Sequence, residues 1–175
     1  MKLQDVFAAV NEMKAAGVID HYAIGEAVGA TSYLDPVSTL DVDVFVALEP
    51  GPGKVLASPK PIFDYLTALG ATIEGEYLMV AGWPVQFLAP PGPLAEEALE
   101  QARQDLVEGE AVWVFTAEHL AAIALETGRP KDKARLLQFV SEAALDPVVF
   151  EAIIRRHGLT ERWKKFELQF LGENA

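Results

Sequence analysis

Two carboxylates lie one residue apart in an apolar segment, Leu40-Asp-Val-Asp-Val-Phe-Val46. A β-strand turns alternate side chains to opposite faces, so Thr39, Asp41 and Asp43 would share one face. Two carboxylates in one small volume repel each other unless a proton, solvent or a cation intervenes, and hard oxygen ligands favour Mg²⁺ or Mn²⁺. The pattern therefore predicts a metal site, although alternating charges on a strand are also typical of a solvated face.

A glycine turn, Gly25 followed by Glu26, precedes this acidic strand. Taken alone, Gly25 is typical of a turn, and Glu26 is a favourable charge at the start of a helix. The turn and the acidic strand together favour a site that binds both a metal ion and a phosphate.

Strands and helices must position these residues. An amphipathic helix over residues 3–16 carries apolar side chains at three- and four-residue spacing and ends before Gly17. Tight glycine turns between successive short strands indicate antiparallel pairing. The predicted strands cover residues 18–24, 40–48, 71–74, 77–81, 83–88 and 111–115, and further helices cover 25–33, 58–70 and 94–106.

The remainder of the chain is predicted to form four helices. Their starts are indicated by Thr116, Pro130, Asp146-Pro147 and Thr160, and Gly128 indicates the end of the first. We therefore expect an α/β (α+β) fold with a mixed sheet, flanking helices and a helical C-terminal region. We place the α/β core at residues 1–115 and the helical region at residues 116–175, packed together as one compact unit.

The composition is that of a globular protein with an acidic surface. The 175 residues include no cysteine, which excludes disulfides, zinc–thiolate sites and a cysteine nucleophile. No segment reaches the roughly eighteen consecutive apolar residues of a membrane span. The N-terminus does not resemble a signal peptide, so we expect no membrane partner and a cytoplasmic location. The formal net charge of −12 opposes binding to nucleic acid.

Positive charge nevertheless gathers in Arg129, Lys131, Lys133 and Arg135, and again in Arg155, Arg156, Arg162, Lys164 and Lys165. Local binding of an anion by the first group of four is one interpretation. The same four residues are also typical of a solvated helix face that pairs with nearby acids. Both interpretations stay open on the sequence.

With these elements in place, the chain resembles the nucleotidyltransferase superfamily, in particular its minimal and abortive-infection-type members. The superfamily signature is a hydrophobic residue and Gly-Gly or Gly-Ser opening a helix, followed by a strand with Asp-x-Asp. Here Ile24-Gly-Glu26 takes the glycine position and Asp41-Val-Asp43 the acidic strand. Trp83-Pro-Val-Gln-Phe-Leu88 is similar to the strand that carries a third acid, and Arg129-Pro-Lys-Asp132 to an Arg-x-Lys-Asp step.

The resemblance implies transfer of a nucleoside monophosphate from a nucleoside triphosphate to a hydroxyl acceptor, with pyrophosphate leaving. It implies that Asp41 and Asp43 are catalytic and hold Mg²⁺ or Mn²⁺. The residues implied in binding the nucleoside triphosphate are Gly25, Glu26, Ser38, Thr39, Gln86, Arg129 and Lys131.

Three residues depart from the superfamily pattern. Glu26 replaces the second small residue, Gln86 stands where the third acid is expected, and Ala124 stands where the abortive-infection-type enzymes often carry a lysine. An amide cannot serve as a general base. These departures leave open an alternative, a catalytically inactive interaction protein with a protein partner, such as a toxin–antitoxin or abortive-infection component.

Overall fold

The computed structural model describes residues 2–34, 41–48 and 58–172, so the predicted contacts of Ser38 and Thr39 lie outside the described residues. The strands are β1 (Tyr22–Ile24), β2 (Val42–Val46), β3 (Thr72–Glu74), β4 (Tyr77–Val80), β5 (Trp83–Leu88), β6 (Arg103–Val107) and β7 (Glu110–Val114). The helices are α1 (Leu3–Ala15), α2 (Glu26–Ala30), α3 (Lys60–Ala68), α4 (Pro93–Glu100), α5 (Ala117–Thr127), α6 (Pro130–Ser141), α7 (Pro147–Arg156) and α8 (Thr160–Phe166), and a π-helical turn spans Glu167–Leu171.

The strands form one mixed sheet with the order β3-β4-β5-β2-β1-β7-β6. The pairs β2–β5 and β1–β7 are parallel, and β1–β2, β3–β4, β4–β5 and β6–β7 are antiparallel. Gly75 and Gly82, with φ of 64° and 83°, lie in the tight turns on either side of β4. The predicted α/β (α+β) fold, with its mixed sheet and flanking helices, is confirmed.

The C-terminal helices begin where their capping residues predict, and α5 ends at Gly128 as predicted. The hydroxyl of Thr116 accepts a hydrogen bond from the backbone N–H of His119 at the start of α5, and Gly128 ends that helix with φ of 67°. The carboxylate of Asp146 accepts from the N–H groups of Val148 and Val149 at the start of α7. Within the described ranges, no helix has the length and apolar composition needed to cross a bilayer.

Two hydrophobic layers cover opposite faces of the sheet. Side chains of the central strands alternate between the two layers. Tyr22 and Ile24 lie in the layer with α1 and α3, whereas Ala23 lies in the layer with α4–α8. In β2, Val44 belongs to the first layer and Phe45 to the second. Asp41 and Asp43 share the parity of Phe45, so they are on the side of the sheet that the C-terminal helices cover.

The predicted helix over residues 94–106 is wrong in its second half. Helix α4 ends at Glu100, and residues 103–107 form β6, which pairs only with β7 in the described sheet. Leu99, Ala102 and Leu106 have helical spacing, but the hairpin turn at Glu108-Gly109 overrides it. Both turn residues have positive φ, 53° and 86°, as a two-residue hairpin that matches strand twist requires.

Candidate functional site

The glycine turn is attached directly to the acidic strand. Strands β1 and β2 are antiparallel, and the backbone N–H of Gly25 donates a hydrogen bond to the carbonyl oxygen of Asp43 at 3.1 Å. Asp41 immediately precedes β2 and is half-buried, as is Asp43 within the strand. The hydrogen-bonding between β1 and β2 therefore places Gly25 and Glu26 next to Asp43, as the sequence predicts.

Gln86 lies beside Asp43 in the sheet. Strand β5 runs parallel to β2, and the register pairs Gln86 with Asp43 and Val85 with Val42. Paired residues of neighbouring strands project on the same side of the sheet. Gln86 is thus placed to contact the acidic site, where an amide can orient a carboxylate but cannot accept a proton from a substrate.

The charges of Glu26, Asp41, Arg129 and Lys131 all act on the carboxyl group of Asp43. Burial, aided by the negative charges of Glu26 and Asp41, raises the pKa of Asp43 to about 6. The positive charges of Lys131 and Arg129 act in the opposite direction on this pKa. A carboxyl group with this pKa exchanges a proton with solvent near neutral pH. A cation bound beside it would favour the ionised carboxylate and so displace the proton.

Glu26 has a strained backbone and two arginine partners. Its φ is 52°, in the left-handed region that glycine prefers. Its carboxylate forms ion pairs with Arg129 at 3.3 Å and with Arg135 at 3.5 Å, and only 22% of its side chain is exposed. Glu26 therefore competes with an anionic ligand for part of the hydrogen-bonding capacity of two guanidinium groups.

Asp132 holds Arg129 in position from the other side. The Asp132 side chain is 3% exposed, and its Oδ2 accepts from Arg129 Nε at 2.6 Å and from the Arg129 backbone N–H at 3.1 Å. The hydrogen bond to Asp132 also raises the pKa of Arg129. The Arg129 side chain remains 45% exposed. A preorganised guanidinium at the edge of an acidic site suits a phosphate contact, whereas Lys131 is exposed and contributes its charge at longer range.

The glycines of the turn have a packing role that the structure shows directly. A Cβ added to Gly25 would lie 2.5 Å from the ring of Phe45, and one added to Gly29 would lie 2.6 Å from the carbonyl oxygen of Ile24. Phe45 in turn packs against Phe115, with ring centroids 5.0 Å apart. Close packing of α2 on the sheet is therefore sufficient to require glycine at both positions.

Sequence reasoning missed two residues of the site. The hydroxyl of Tyr77, on β4, donates to Asp41 Oδ2 at 3.4 Å. Nothing local in the sequence indicates this contact, because it depends on the pairing of β4 with β5. For Arg135 a signal exists, since Arg129, Asp132 and Arg135 recur every three residues and so share one face of α6.

Ala124 lines a small gap together with Glu26 and Arg135. The resemblance implies that this position is one where the abortive-infection-type enzymes often carry a lysine. Here the guanidinium of Arg135 supplies a positive charge beside Ala124, and Glu26 neutralises it. The two departures from the superfamily pattern, at Glu26 and at Ala124, therefore lie at the same place in the structure.

Asp41 and Asp43 fit a divalent cation by the chemistry of their donors. Both offer carboxylate oxygens. Burial, followed by the negative charges of Glu26 and Asp41, raises the pKa of Asp43, and a cation would offset both effects. Among the described residues, no group of three or more histidine, aspartate or glutamate side chains could by itself hold a metal ion. The fit is to an ion such as Mg²⁺, which keeps several waters and takes further oxygens from a phosphate.

Comparisons with known proteins give likenesses in structure alone. No protein-family model matches the chain, and no curated protein matches it. A crystal structure of an antigenic nucleotidyltransferase-like protein from Paracoccidioides brasiliensis matches with a TM-score of 0.55 and 15% identity, over 78% of this chain and 73% of that one.

The second likeness spans nearly the whole of both chains. The crystal structure of ANT(2'')-Ia in complex with adenylyl-2''-tobramycin matches with a TM-score of 0.52 and 16% identity, over 92% of this chain and 96% of that one. The solution structure of the antibiotic-resistance factor ANT(2'')-Ia matches with a TM-score of 0.50 and 14% identity. At these identities the comparisons establish the arrangement of strands and helices.

Proposed function

This chain has a nucleotidyltransferase-like fold, and on that premise we propose that it binds a nucleoside triphosphate and transfers its nucleoside monophosphate to a hydroxyl acceptor. The acceptor oxygen forms a bond to the α-phosphorus while the bond from that phosphorus to the bridging oxygen breaks. Pyrophosphate leaves, and the acceptor loses its hydroxyl proton to a base or to solvent.

The observation that carries this proposal is the joining of the glycine turn to the acidic strand. Gly25 is hydrogen-bonded to Asp43, Gln86 is in register with Asp43, and the charges of Arg129 and Lys131 reach the same carboxylate. A solvated strand face would not explain why carboxylates and cations from α2, β2 and α6 converge on one half-buried position.

Each residue then has a proposed part. Asp41 and Asp43 would hold Mg²⁺ or Mn²⁺, which supplies neutralisation of phosphate charge and keeps the attacking and leaving oxygens in line. Arg129 and Lys131 would bind the phosphates, and Gln86 would orient Asp43. Ser38 and Thr39 stay proposed as hydroxyl contacts to the triphosphate.

The first donor and acceptor to test come from the solved likeness that spans nearly the whole chain. ANT(2'')-Ia was crystallised with adenylyl-2''-tobramycin, an adenylylated small molecule. We therefore propose ATP as the first donor and the hydroxyl group of a small molecule as the first class of acceptor.

Isothermal titration of ATP, GTP, CTP and UTP, with and without Mg²⁺, tests the proposal. We expect binding that needs Mg²⁺ and is lost in the double variant Asp41→Asn/Asp43→Asn. Asp64→Asn is the matched control, because Asp64 is 62% exposed and pairs with Lys60 on its own helix. Release of pyrophosphate on adding a pool of hydroxyl compounds then separates turnover from binding.

The outcome that would contradict the proposal is equally clear. If the wild-type protein binds none of the four nucleotides in the presence of Mg²⁺, the proposed nucleotide-binding site is contradicted. That result, together with co-purification of a protein partner, would instead support the inactive interaction protein.

A further inference from the structure

A cleft of about 350 Å³ opens within the C-terminal helices, away from the acidic site. Its walls come from the end of α5, the first turns of α6, and α8 with the π-helical turn that follows it. This volume is within the range of clefts that bind small molecules. None of Asp41, Asp43 and Gln86 lines it.

The charge of the cleft is opposite to that of the whole chain. Lys133, Arg162 and Lys165 line it, and among the residues that the structure describes no aspartate or glutamate does, although the protein has a formal net charge of −12. Within the described ranges neither Lys133 nor Lys165 forms an ion pair. Positive groups gathered around a concave surface attract a small anion.

Arg162 is fixed in place. Its guanidinium donates a hydrogen bond to the backbone carbonyl oxygen of Glu126, in the last turn of α5. That contact uses one N–H of the five that a guanidinium carries. Arg162 is thus held at the cleft with further donors to offer, whereas Lys133 and Lys165 are long, flexible side chains that can adjust to a ligand.

One wall of the cleft is aromatic. Phe166 is 4% exposed and Phe170 is 38% exposed, with their ring centroids 4.9 Å apart. Trp163 stacks behind Phe166 at 5.6 Å with an interplanar angle of 16°. The ladder of three rings holds Phe166 in place, and Phe170 leaves part of its ring available to a planar or aliphatic group.

We propose that this cleft is a binding site for a small organic anion that has an apolar, planar body and one acidic group. The body packs against Phe166, Phe170 and the aliphatic side chains of α5 and α6. The acidic group pairs with Lys133, Lys165 and the remaining donors of Arg162. This site goes beyond the proposed nucleotidyl transfer and does not depend on it.

The probe for this proposal is 1-anilinonaphthalene-8-sulfonate, because it combines a planar apolar body with one sulfonate. Its uncharged analogue N-phenyl-1-naphthylamine lacks the sulfonate and separates the contribution of the charge. Both are titrated into the folded protein without nucleotide or Mg²⁺, and fluorescence gives affinity and stoichiometry. Far-UV circular dichroism of each variant confirms that it is folded.

We expect one equivalent of the sulfonate to bind, and Lys133→Gln/Lys165→Gln to weaken it by about tenfold or more, since charge-assisted contacts are lost. Binding of the uncharged analogue should not change in that variant. Phe170→Ala should weaken both compounds. Lys164→Gln is the matched control on the same helix, since Lys164 lies outside the cleft and pairs with Glu161 at 2.9 Å.

Asp41→Asn/Asp43→Asn should bind the sulfonate as the wild type does, so failure of the nucleotide site and failure of this site are distinguishable. Unchanged affinity in Lys133→Gln/Lys165→Gln would overturn the proposal. An equal loss in Lys164→Gln would do the same, because it would indicate diffuse attraction to any lysine. Absence of stoichiometric binding by the folded wild type would also overturn it.

Discussion

Glu26 combines an unfavourable backbone conformation with two ion pairs at the candidate site. It has φ of 52° where glycine would be unstrained, and its carboxylate pairs with Arg129 and Arg135. A left-handed backbone costs a residue other than glycine roughly 1–2 kcal/mol. The ion pairs with the two arginines help to hold Glu26 in this conformation.

Replacing Glu26 should therefore change ligand binding more than stability. We expect Glu26→Gly to relieve the backbone strain and to release both guanidinium groups, so that a triphosphate with Mg²⁺ binds about tenfold more tightly in a calorimetric titration. Glu26→Asn should behave similarly, because asparagine tolerates positive φ and carries no charge.

Glu108→Gly provides the control for that prediction. Glu108 also has positive φ, 53°, but lies in the turn between β6 and β7. The substitution should relieve comparable strain and leave the affinity for triphosphate unchanged. If Glu26→Gly instead binds more weakly than the wild type, Glu26 contributes to the ligand site rather than competing with the ligand.

At the scale of elements, Glu97 joins three helical segments. Its Oε1 accepts from His119 Nε2 on α5 at 3.0 Å, and both oxygens accept from Arg156 at the end of α7, at 2.6 and 2.9 Å. His157 Nε2 donates to its Oε2 at 2.8 Å. One carboxylate on α4 therefore binds groups from α5 and from the end of α7.

The same contacts determine the tautomer of His119. A carboxylate can only accept, so Nε2 carries the proton, and Nδ1 accepts from the hydroxyl of Thr116 at 2.6 Å. Burial lowers the pKa of His119, which keeps the ring neutral. The hydroxyl of Thr116 caps α5 through the backbone N–H of His119 as well, so the cap and the buried histidine are linked.

The Glu97 contacts predict a dependence of stability on pH. The hydrogen bond from Arg156, aided by those from His119 and His157, holds the pKa of Glu97 well below its ordinary 4.5. Its contribution is therefore complete above pH 4.5 and is lost as the pH falls towards the lower pKa of the folded state. Burial of His119 adds a loss below pH 6.5, because its pKa is lower in the folded chain.

We expect Glu97→Gln to lower the free energy of unfolding by about 1–3 kcal/mol at pH 7. Below pH 4.5 its stability should fall less steeply than that of the wild type. Urea denaturation between pH 3 and pH 8 measures both effects. Glu96→Gln, at the exposed neighbouring position on α4, should leave the profile unchanged. Identical slopes for the wild type and Glu97→Gln in acid would contradict the role assigned to Glu97.

At the scale of the whole molecule, one hydrophobic cluster joins the sheet to the C-terminal helices. It includes Ala23 and Phe45 from the central strands and Leu120, Phe139 and Ile153 from α5, α6 and α7. Side chains from residues 1–115 and side chains from residues 116–175 are thus buried against each other in one cluster. We expect the regions 1–115 and 116–175 to unfold together rather than as separate units.

Two variants that each retain one tryptophan test this cooperativity. Trp113→Phe/Trp163→Phe leaves Trp83 on β5, and Trp83→Phe/Trp113→Phe leaves Trp163 on α8. Within each variant, the fluorescence transition in urea should coincide with the far-UV circular dichroism transition of the same protein. An earlier transition at Trp163 would show that the helical region unfolds independently.

Much of the fold follows from local chemistry. Capping residues and strand alternation each act within a few residues, so the sequence indicates the helices and strands that they define. Examples are the caps at Thr116 and Asp146, the left-handed Gly128 and the alternation along β2. Residues 94–106 show where such reasoning fails. Helical spacing of apolar side chains was outweighed there by a hairpin turn whose benefit depends on pairing β6 with β7.

The sequence by itself determined that Asp41 and Asp43 share one face and that the glycine turn precedes them, since alternation and turn chemistry are properties of neighbouring residues. Only the tertiary structure decided which groups surround that face. Tyr77 reaches Asp41 through strand pairing, and Arg135 reaches Glu26 because the C-terminal helices pack on that side of the sheet. Such contacts between residues distant in the chain depend on how the hydrophobic layers assemble, which local pattern does not encode.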